Sequence, residues 1–204
     1  GVSNPGTNQL VKTARAVMEM GAAGVMAMPM RGLTTEPSVE NYLRSILTAL
    51  GPSIPVCIQD YPKLTDVYFS ADCFIRLVDA FPQIAMFKHE DMPGLAKLSA
   101  IRKACDGKAR RYMPILCGNG GIHLPQEYLR GADGAMTGFA FPDMMVAMHA
   151  LFAAGKPEEG EDQAAWIASA LNLEPVPVSP AEIGGFSAAI TASGARCGGG
   201  RTCR

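Results

Sequence analysis

The residues best suited to chemistry lie in one octapeptide, where an apolar segment runs into a lysine and a cluster of charges. It reads Ile84-Ala85-Met86-Phe87-Lys88-His89-Glu90-Asp91. A short apolar run of this kind is typical of a strand that is buried on both faces, as in a parallel sheet covered by helices. Because side chains alternate along a strand, Ile84, Met86 and Lys88 are predicted to share one face.

A lysine in such a position is costly as an ammonium ion. Burial lowers the pKa of a lysine, and a neutral amine can attack a ketone to form a Schiff base. We therefore interpret Lys88 as a candidate nucleophile. The octapeptide alone leaves a second interpretation, in which Lys88 ends the strand and its side chain reaches solvent, as most lysines do.

The three residues after Lys88 are ones that can bind metals. His89, Glu90 and Asp91 are adjacent, however, and adjacent residues on an extended chain point to opposite sides. A charged rim of a loop is therefore favoured over a metal site, and no metal is expected.

The composition is that of one globular domain. Apolar residues make up 48% of the 204 residues, and 18 basic side chains balance 19 acidic ones. Without an excess of charge, neither nucleic acid nor an anionic membrane is expected as a partner, and no apolar run has the length of a membrane span. Six cysteines at irregular spacings suggest neither zinc nor disulfides, so we expect reduced cysteines in a cytoplasmic protein.

Predicted strands and helices alternate along the chain. The predicted strands cover residues 24–28, 55–59, 84–88, 112–117 and 134–138. The predicted helices cover residues 9–20, 40–50, 70–80, 93–105, 125–130 and 144–154. Thr7 or Asn8 is the expected cap of the first helix, and Ser70 is the expected cap of the third.

This alternation predicts parallel strands, in either a doubly wound sheet or a (β/α)8 barrel. A doubly wound nucleotide-binding protein should show G-x-G-x-x-G or a P-loop after a strand, and the sequence has neither. Polar residues instead collect where the predicted strands end, as they do at the catalytic face of a barrel. These groups are Ser3-Asn4, Gln59-Asp60, Lys88-His89-Glu90, Cys117-Gly118-Asn119 and Thr137-Gly138. The barrel is therefore the favoured fold.

With this pattern in place, residues 1–162 resemble the dihydrodipicolinate synthase / N-acetylneuraminate lyase family of class I Schiff-base lyases. The family's imine-forming lysine ends the sixth barrel strand and is matched by Phe87-Lys88-His89-Glu90-Asp91. Gly118 matches the glycine that ends the seventh strand, and Gly134-Ala135-Met136-Thr137 matches the eighth.

The resemblance implies that Lys88 forms an imine with pyruvate or another 2-oxo acid. The protonated imine is the electron sink of such a reaction, so no cofactor is expected. It also implies that Gly118, Met136 and Thr137 bind substrate, the first two through backbone groups, and that the protein is a homo-oligomer, by family resemblance a tetramer.

The segment after the fifth barrel strand departs from the family pattern. Where the family usually has Y-N-x-P-x-R-T-G, this chain has Gln59-Asp60-Tyr61-Pro62-Lys63-Leu64-Thr65-Asp66. By this alignment Gln59 replaces a tyrosine that acts in proton transfer, and Leu64 replaces an arginine that binds a second carboxylate. Tyr61 shares a strand face with Gln59 by parity and is a candidate source of a catalytic hydroxyl; the alternative is a tyrosine that packs at a loop.

The loss of this arginine argues against aspartate semialdehyde as a second substrate, because a carboxylate favours a bidentate cation. The expected function is a Schiff-base-forming aldolase or hydro-lyase of the dihydrodipicolinate synthase type. A 2-keto-3-deoxy sugar acid dehydratase of the same family is an alternative.

The two ends of the chain also differ from the family pattern. Counting strands backwards predicts an N-terminally truncated barrel that runs from the end of strand 3 through strand 8 and is open between residues 1–5 and 134–138. Residues 1–162 form the predicted partial barrel domain, and residues 163–204 form a divergent tail for which a frameshift is one explanation. An inactive barrel fragment is therefore a further alternative.

Overall fold

Five strands lie side by side in the order in which they occur along the chain, and every neighbouring pair is parallel. The computed structural model describes residues 1–92 and 94–170. The strands are β1 (Val25–Ala27), β2 (Val56–Asp60), β3 (Ile84–His89), β4 (Ile115–Cys117) and β5 (Gly134–Ala135). The prediction of one parallel sheet with the carboxyl ends of its strands at one edge is confirmed.

Helices connect the strands. They are α1 (Thr7–Glu19), α2 (Glu36–Leu50), α3 (Pro62–Thr65), α4 (Ala71–Ala80), α5 (Leu95–Ala104), α6 (Leu124–Leu129), α7 (Pro142–Ala153) and α8 (Pro157–Ala170). All six predicted helices are present, and α3 and α8 are additional. No helix in the described part of the chain combines the length and the apolar character needed to cross a membrane.

Two helices begin at side-chain caps that satisfy free backbone amides. Thr35 precedes α2, and its hydroxyl oxygen accepts a hydrogen bond from the Ser38 amide while the Ser38 hydroxyl oxygen accepts one from the Thr35 amide. This reciprocal capping box starts α2 four residues before the predicted start. Ser70 caps α4 by accepting a bond from the Cys73 amide, as predicted.

The predicted cap of α1 is wrong. Neither Thr7 nor Asn8 precedes this helix; its cap position is Gly6, and no side chain bonds the free amides there. Asn4 already turns the chain, because its side-chain oxygen accepts a hydrogen bond from the Gly6 amide, and the helix therefore starts at Thr7.

The main core lies between the sheet and the helices. Phe87 of β3 packs on Phe74 of α4 with ring centroids 4.3 Å apart, and both side chains are fully buried. The apolar stripe of α2 is buried against the same core at Val39, Leu43, Ile46, Leu47 and Leu50. The other face of the sheet, which is the barrel interior, carries the partly buried and polar side chains.

An irregularity in β3 changes the faces that alternation predicted. Consecutive residues of β2 pair with Ile84 and Met86, which leaves Ala85 as an extra residue in β3. The bulge turns Ile84 to the helix-covered face with Phe87. Met86 and Lys88 face the barrel interior, so the predicted sharing of a face by Ile84 and Lys88 is wrong.

The fold is that of a (β/α)8 TIM barrel, of which the described residues form five strands and their helices. Residues before α1 lie against β1, because the Val2 amide donates a hydrogen bond to the Met26 carbonyl. Helix α8 runs across residue 162, the predicted end of the barrel domain. Residues 171–204 of the predicted tail lie outside the described residues, so the domain division stays a prediction.

The described cysteines are all unpaired, as expected. They are Cys57, Cys73, Cys105 and Cys117, whereas Cys197 and Cys203 lie outside the described residues. Burial raises the pKa of Cys57 to about 11 and that of Cys73 to about 12. These thiols are protonated at neutral pH and are poor nucleophiles.

Candidate functional site

Lys88 and Gln59 lie opposite each other at the carboxyl ends of two neighbouring strands. Lys88 of β3 pairs in register with Gln59 of β2, and both side chains face the barrel interior. The Lys88 side chain is only 12% exposed. The alternative in which this lysine ends the strand and extends into solvent does not hold.

Glu90 joins these two side chains. Its Oε2 lies 3.4 Å from Lys88 Nζ and accepts a 2.6 Å hydrogen bond from Gln59 Nε2. Its Oε1 accepts a 3.4 Å bond from the Asn119 amide, and its carbonyl oxygen accepts a 2.9 Å bond from Asn119 Nδ2. Two strands and the loop after β4 thus hold one carboxylate against one lysine.

The predicted charged rim after Lys88 is therefore wrong. Glu90 is 5% exposed and His89 is fully buried, on opposite faces of the strand end. The two side chains do point in opposite directions, but both directions lead into protein rather than into water. Within the described residues, no group of three His, Cys, Asp or Glu side chains could hold a metal ion.

Gly118 is required by the position of Glu90. A Cβ atom added at Gly118 would lie within 3.0 Å of Oε1, Cγ and Cδ of Glu90, closer than real Cβ atoms approach other atoms. The glycine therefore allows the carboxylate to lie directly against the backbone.

The backbone amides of two predicted binding residues are already used. The Gly118 amide donates to the His89 carbonyl at 3.0 Å, and the Met136 amide donates to the Cys117 carbonyl at 2.8 Å. Backbone contacts from these two residues to a bound molecule are therefore left to their carbonyl oxygens, and that of Gly118 already accepts a 2.9 Å bond from the Gly121 amide.

A cavity of about 240 Å³ opens at this edge of the sheet. Its lining includes Tyr61, Lys63, Glu90, Asn119 and Thr137. The Thr137 hydroxyl oxygen is buried and has no hydrogen-bond partner among residues 1–92 and 94–170. Tyr61 precedes α3 and lines the same cavity, so its role as the source of a catalytic hydroxyl stays a prediction beside the alternative of a tyrosine that packs at a loop.

A second charged cluster lies behind the site, on the helix-covered face. Asp60 and His89 are fully buried neighbours at the ends of β2 and β3. Lys97 of α5 reaches Asp60 Oδ2 at 2.8 Å and Asp91 Oδ2 at 2.7 Å. Its ammonium also lies 5.0 Å from the centre of the Phe69 ring. The cluster ties both strand ends to α5.

The pKa values in this cluster follow from burial. Burial raises the pKa of Asp60 to about 6, although Lys97 opposes the shift. Burial lowers the pKa of His89 to about 4, and the charge of Lys97 adds to this effect. Burial also opposes the charge of Lys97, but its two carboxylate partners outweigh burial and raise its pKa. At neutral pH His89 is therefore neutral.

A further buried carboxyl group lies behind β4. Glu127 of α6 is 3% exposed, and burial raises its pKa to about 7. It contacts the Cys117 thiol, which is on the helix-covered face, so it titrates outside the cavity.

Five of the six predicted site residues fall into two groups around Glu90. Lys88, Gln59 and Gly118 contact or adjoin its carboxylate, whereas Tyr61 and Thr137 line the cavity with it. Met136 adjoins Thr137 and bonds β4 through its amide. Sequence reasoning missed Glu90, Asn119 and Lys63. The signal for Glu90 was available, because it lies two residues after Lys88 and so continues the face of that lysine.

Comparisons with known proteins agree on one family. No family model matches the sequence. The solved structure of dihydrodipicolinate synthase from Rhodopseudomonas palustris is 30% identical, with a TM-score of 0.76 over 94% of this chain and 73% of that one. A prophage protein of the dihydrodipicolinic acid synthase family from E. coli K12, solved in complex with pyruvate, shares the fold at 18% identity and a TM-score of 0.70 over 95% of this chain and 64% of that one.

One curated relative is named as a dehydratase. The L-2-keto-3-deoxyarabonate dehydratase of Azospirillum brasilense is 33% identical over 130 residues, which are 61% of this chain. The chain spans only 40% of the length of that relative. On the sequence identity and shared fold over most of the Rhodopseudomonas palustris enzyme, the chain belongs to the dihydrodipicolinate synthase family.

Proposed function

We propose that the protein is a class I lyase in which Lys88 forms a Schiff base with the ketone of pyruvate or another 2-oxo acid. The observation that carries this proposal is the position of the Lys88 side chain. It lies at the carboxyl end of β3, it is 12% exposed, and its Nζ is 3.4 Å from the Glu90 carboxylate. A lysine becomes nucleophilic when it loses a proton, and a carboxylate at this distance can accept that proton.

Imine formation then proceeds with the groups present. Glu90 accepts a proton from the Lys88 ammonium, and the free amine forms a C–N bond to C2 of the 2-oxo acid. The former ketone oxygen leaves as water after it gains protons, which leaves a protonated imine. This imine withdraws electrons from C3, so a proton on C3 becomes acidic and its loss gives an enamine. Glu90 lies between Lys88 and the cavity and is our candidate for the base in this step too.

Elimination of water is the next step for a 2-oxo-3-deoxy sugar acid. The enamine electron pair forms a C3–C4 double bond while the C4 hydroxyl group takes up a proton and leaves as water. We assign the proton to the Tyr61 hydroxyl and the binding of the substrate's hydroxyl groups to Thr137, because both side chains line the cavity beside Glu90. Hydrolysis of the imine returns Lys88 to its starting state.

Gln59 has a supporting role in this scheme. Its amide cannot exchange protons as the tyrosine of the family pattern does, but its Nε2 donates a 2.6 Å hydrogen bond to Glu90. It therefore orients the carboxylate toward Lys88. Gly118 and Met136 are assigned to substrate contacts through their carbonyl oxygens, since their amides are bonded within the protein.

Two observations favour a dehydratase over a synthase that joins pyruvate to aspartate semialdehyde. Leu64 stands where the family pattern has a carboxylate-binding arginine, and its side chain is 47% exposed and apolar. The curated relative at 33% identity is a 2-keto-3-deoxy sugar acid dehydratase. The second candidate is carbon–carbon bond formation of the dihydrodipicolinate synthase type, which the 30% identical structure supports. The tetrameric state and the cytoplasmic location remain predictions from the family resemblance.

Borohydride trapping tests the proposal. Incubation of the chain with pyruvate and sodium borohydride should reduce the imine and leave a covalent adduct on the peptide that contains Lys88. Lys88→Ala should abolish the adduct, and Lys88→Arg should abolish it equally, because a guanidinium keeps its charge and cannot form the imine. Lys12→Ala, on the exposed side of α1, is the matched control and should leave trapping intact.

The outcomes separate the alternatives. An adduct that persists in Lys88→Ala would assign the imine to another amine. If the unmodified chain forms no adduct, the proposed function fails and the alternative of an inactive barrel fragment is favoured.

A further inference from the structure

Lys97 lies near the start of α5, where a positive charge is unfavourable. It is the third residue of this helix, whose first turn contains no acidic residue. The amino end of a helix is the positive end of its dipole, so an ammonium there opposes the dipole. The Lys97 side chain is also only 11% exposed, and burial is unfavourable for a charge. Neither the helix nor its solvation therefore accounts for a lysine at this position.

The contacts of Lys97 converge on the backbone of Glu90. Its Nζ lies 2.8 Å from Asp60 Oδ2 and 2.7 Å from Asp91 Oδ2. Asp91 follows Glu90 in the chain, and the Asp60 carbonyl accepts a 2.8 Å hydrogen bond from the Glu90 amide. One ammonium thus holds two residues to which the Glu90 backbone is attached, one through a peptide bond and the other through a hydrogen bond.

The start of α5 lies close against the end of β3. Gly94 precedes α5 with a left-handed φ of 54°. A Cβ atom there would lie within 3.0 Å of the His89 ring and of the Asp91 carbonyl oxygen, so this position requires glycine. The Lys97 ammonium lies 5.0 Å from the centre of the buried Phe69 ring. The close approach of α5 and the neighbouring ring restrict where this ammonium can lie.

We infer that Lys97 is a positioning residue for the proposed reaction, because its ion pairs with Asp60 and Asp91 hold the Glu90 carboxylate in place at Lys88. Lys97 lies on the helix-covered face of the sheet, opposite the cavity, so its influence on the reaction passes through Glu90. A displacement of about 1 Å can lower a rate by about a hundredfold. The inference rests on the proposed function, in which Glu90 is the base.

Borohydride trapping with pyruvate tests the inference in two backgrounds. Lys97→Met should lower the maximal trapping rate about tenfold and leave the half-saturating pyruvate concentration unchanged, because the residues that line the cavity remain. In Glu90→Gln, which has already lost the base, Lys97→Met should lower the rate no further. An equal loss of rate in both backgrounds, or an undiminished rate in Lys97→Met, would overturn the inference.

An ion pair at the other end of the strands provides the matched control for stability. Arg102, also in α5, has its Nη2 2.6 Å from Oδ2 of Asp133, which directly precedes β5. The Arg102 side chain is 15% exposed, close to the value for Lys97. Arg102→Met should therefore lower the free energy of unfolding but leave the trapping rate unchanged. A tenfold loss of rate in this variant would assign the effect of Lys97→Met to stability and overturn the inference.

A double variant removes the risk that Lys97→Met fails to fold. Lys97→Met leaves the Asp60 carboxylate buried without its cation, whereas Lys97→Met combined with Asp60→Asn leaves no charge at either position. The double variant should be at least as stable as Lys97→Met in urea denaturation, and its trapping rate should still be about tenfold below that of the unmodified chain. A rate equal to that of the unmodified chain would contradict a positioning role.

An NMR signal of Gln59 keeps this test separate from the test of the imine. If pyruvate leaves no adduct on the unmodified chain, the proposed function fails. The position of Glu90 can still be followed, because the Gln59 side-chain amide donates the 2.6 Å bond to it. This amide resonance, identified by its loss in Gln59→Ala, should move in Lys97→Met at least halfway toward its position in Glu90→Ala and stay in place in Arg102→Met. A resonance that does not move in Lys97→Met would overturn the inference.

Discussion

Replacing Gly118 with alanine tests whether Glu90 must keep its position against Lys88. The new Cβ would fall within 3.0 Å of three Glu90 side-chain atoms. The backbone at Gly118 has φ of −111°, so the left-handed strain that opposes alanine at many glycines does not arise here. The cost of Gly118→Ala therefore comes from the collision with the carboxylate.

The structure sets the size of the effect. Overpacking a filled site costs roughly 1–3 kcal/mol. If Glu90 moves to relieve the collision, it gives up the 2.6 Å hydrogen bond from Gln59, and a bond to a charged group contributes about 1.5–3 kcal/mol. These are alternative ways to absorb one collision, so we expect the free energy of unfolding to fall by about 2 kcal/mol. Because Glu90 also leaves Lys88, the trapping rate with pyruvate should fall by about a hundredfold.

Urea denaturation and the trapping rate measure the two effects. Gly138→Ala is the matched control for stability, because a Cβ there meets nothing within 4 Å and the residue has no left-handed φ. The decisive variant is Gly118→Ala combined with Glu90→Ala, which removes the colliding side chain. It should be more stable than the sum of the single effects by at least about 1 kcal/mol. Strictly additive losses would refute the contact between Gly118 and Glu90 as the cause.

Two further predictions concern the carboxylates on the two faces of the strand ends. Glu90→Gln keeps the shape of the side chain but cannot accept a proton, so trapping at Lys88 should slow by about 10²–10⁴ at neutral pH; an undiminished rate would remove Glu90 from the mechanism. The pKa of Asp60 rises from 3.8 to about 6 on burial, so its contribution to stability is present below pH 3.8 and is lost as the pH rises through about 6. This rise corresponds to about 3 kcal/mol, so Asp60→Asn should gain up to about that amount of stability relative to the unmodified chain between about pH 4 and about pH 7.5 in urea denaturation. The pKa of His89 is lowered to about 4, so His89 makes stability rise with pH in both proteins and cancels in their difference. A loss of stability in Asp60→Asn would instead mean that the ion pair with Lys97 outweighs the burial of Asp60.

The elements of the fold could be predicted because each has a local cause. The apolar runs of β2 and β3 are long enough to be recognised, and the stripe of α2 repeats with the helical period. Ser70 is a standard cap immediately before its helix, and it caps α4 as expected. Parallel strands then place Lys88 and Gly118 at the same edge, since the carboxyl ends of all strands meet there.

The contacts of the site could not be predicted because they join residues distant in sequence. Gln59 and Glu90 are 31 residues apart, and Asp60 and Lys97 are 37 residues apart. Such pairs depend on the register between β2 and β3, which includes the extra residue Ala85. No local sequence pattern predicts the register between two strands to within one residue, and an error of one residue moves every side chain of a strand to the other face.

The candidate site and the buried charges behind it share one stretch of backbone, and this explains why both lie where the strands end. Lys88 and His89 are consecutive, so alternation sends one into the barrel and the other toward α5. The Glu90 amide donates a 2.8 Å bond to the Asp60 carbonyl, so the carboxylate that meets Lys88 is placed by a residue whose own side chain is fixed by Lys97 on the opposite face. A reactive lysine needs a partner held to within a fraction of an ångström, and buried charge pairs with few alternative arrangements can supply such rigidity. Burial of the Asp60 carboxylate is unfavourable, but its pairing with Lys97 fixes the backbone that holds Glu90 against Lys88.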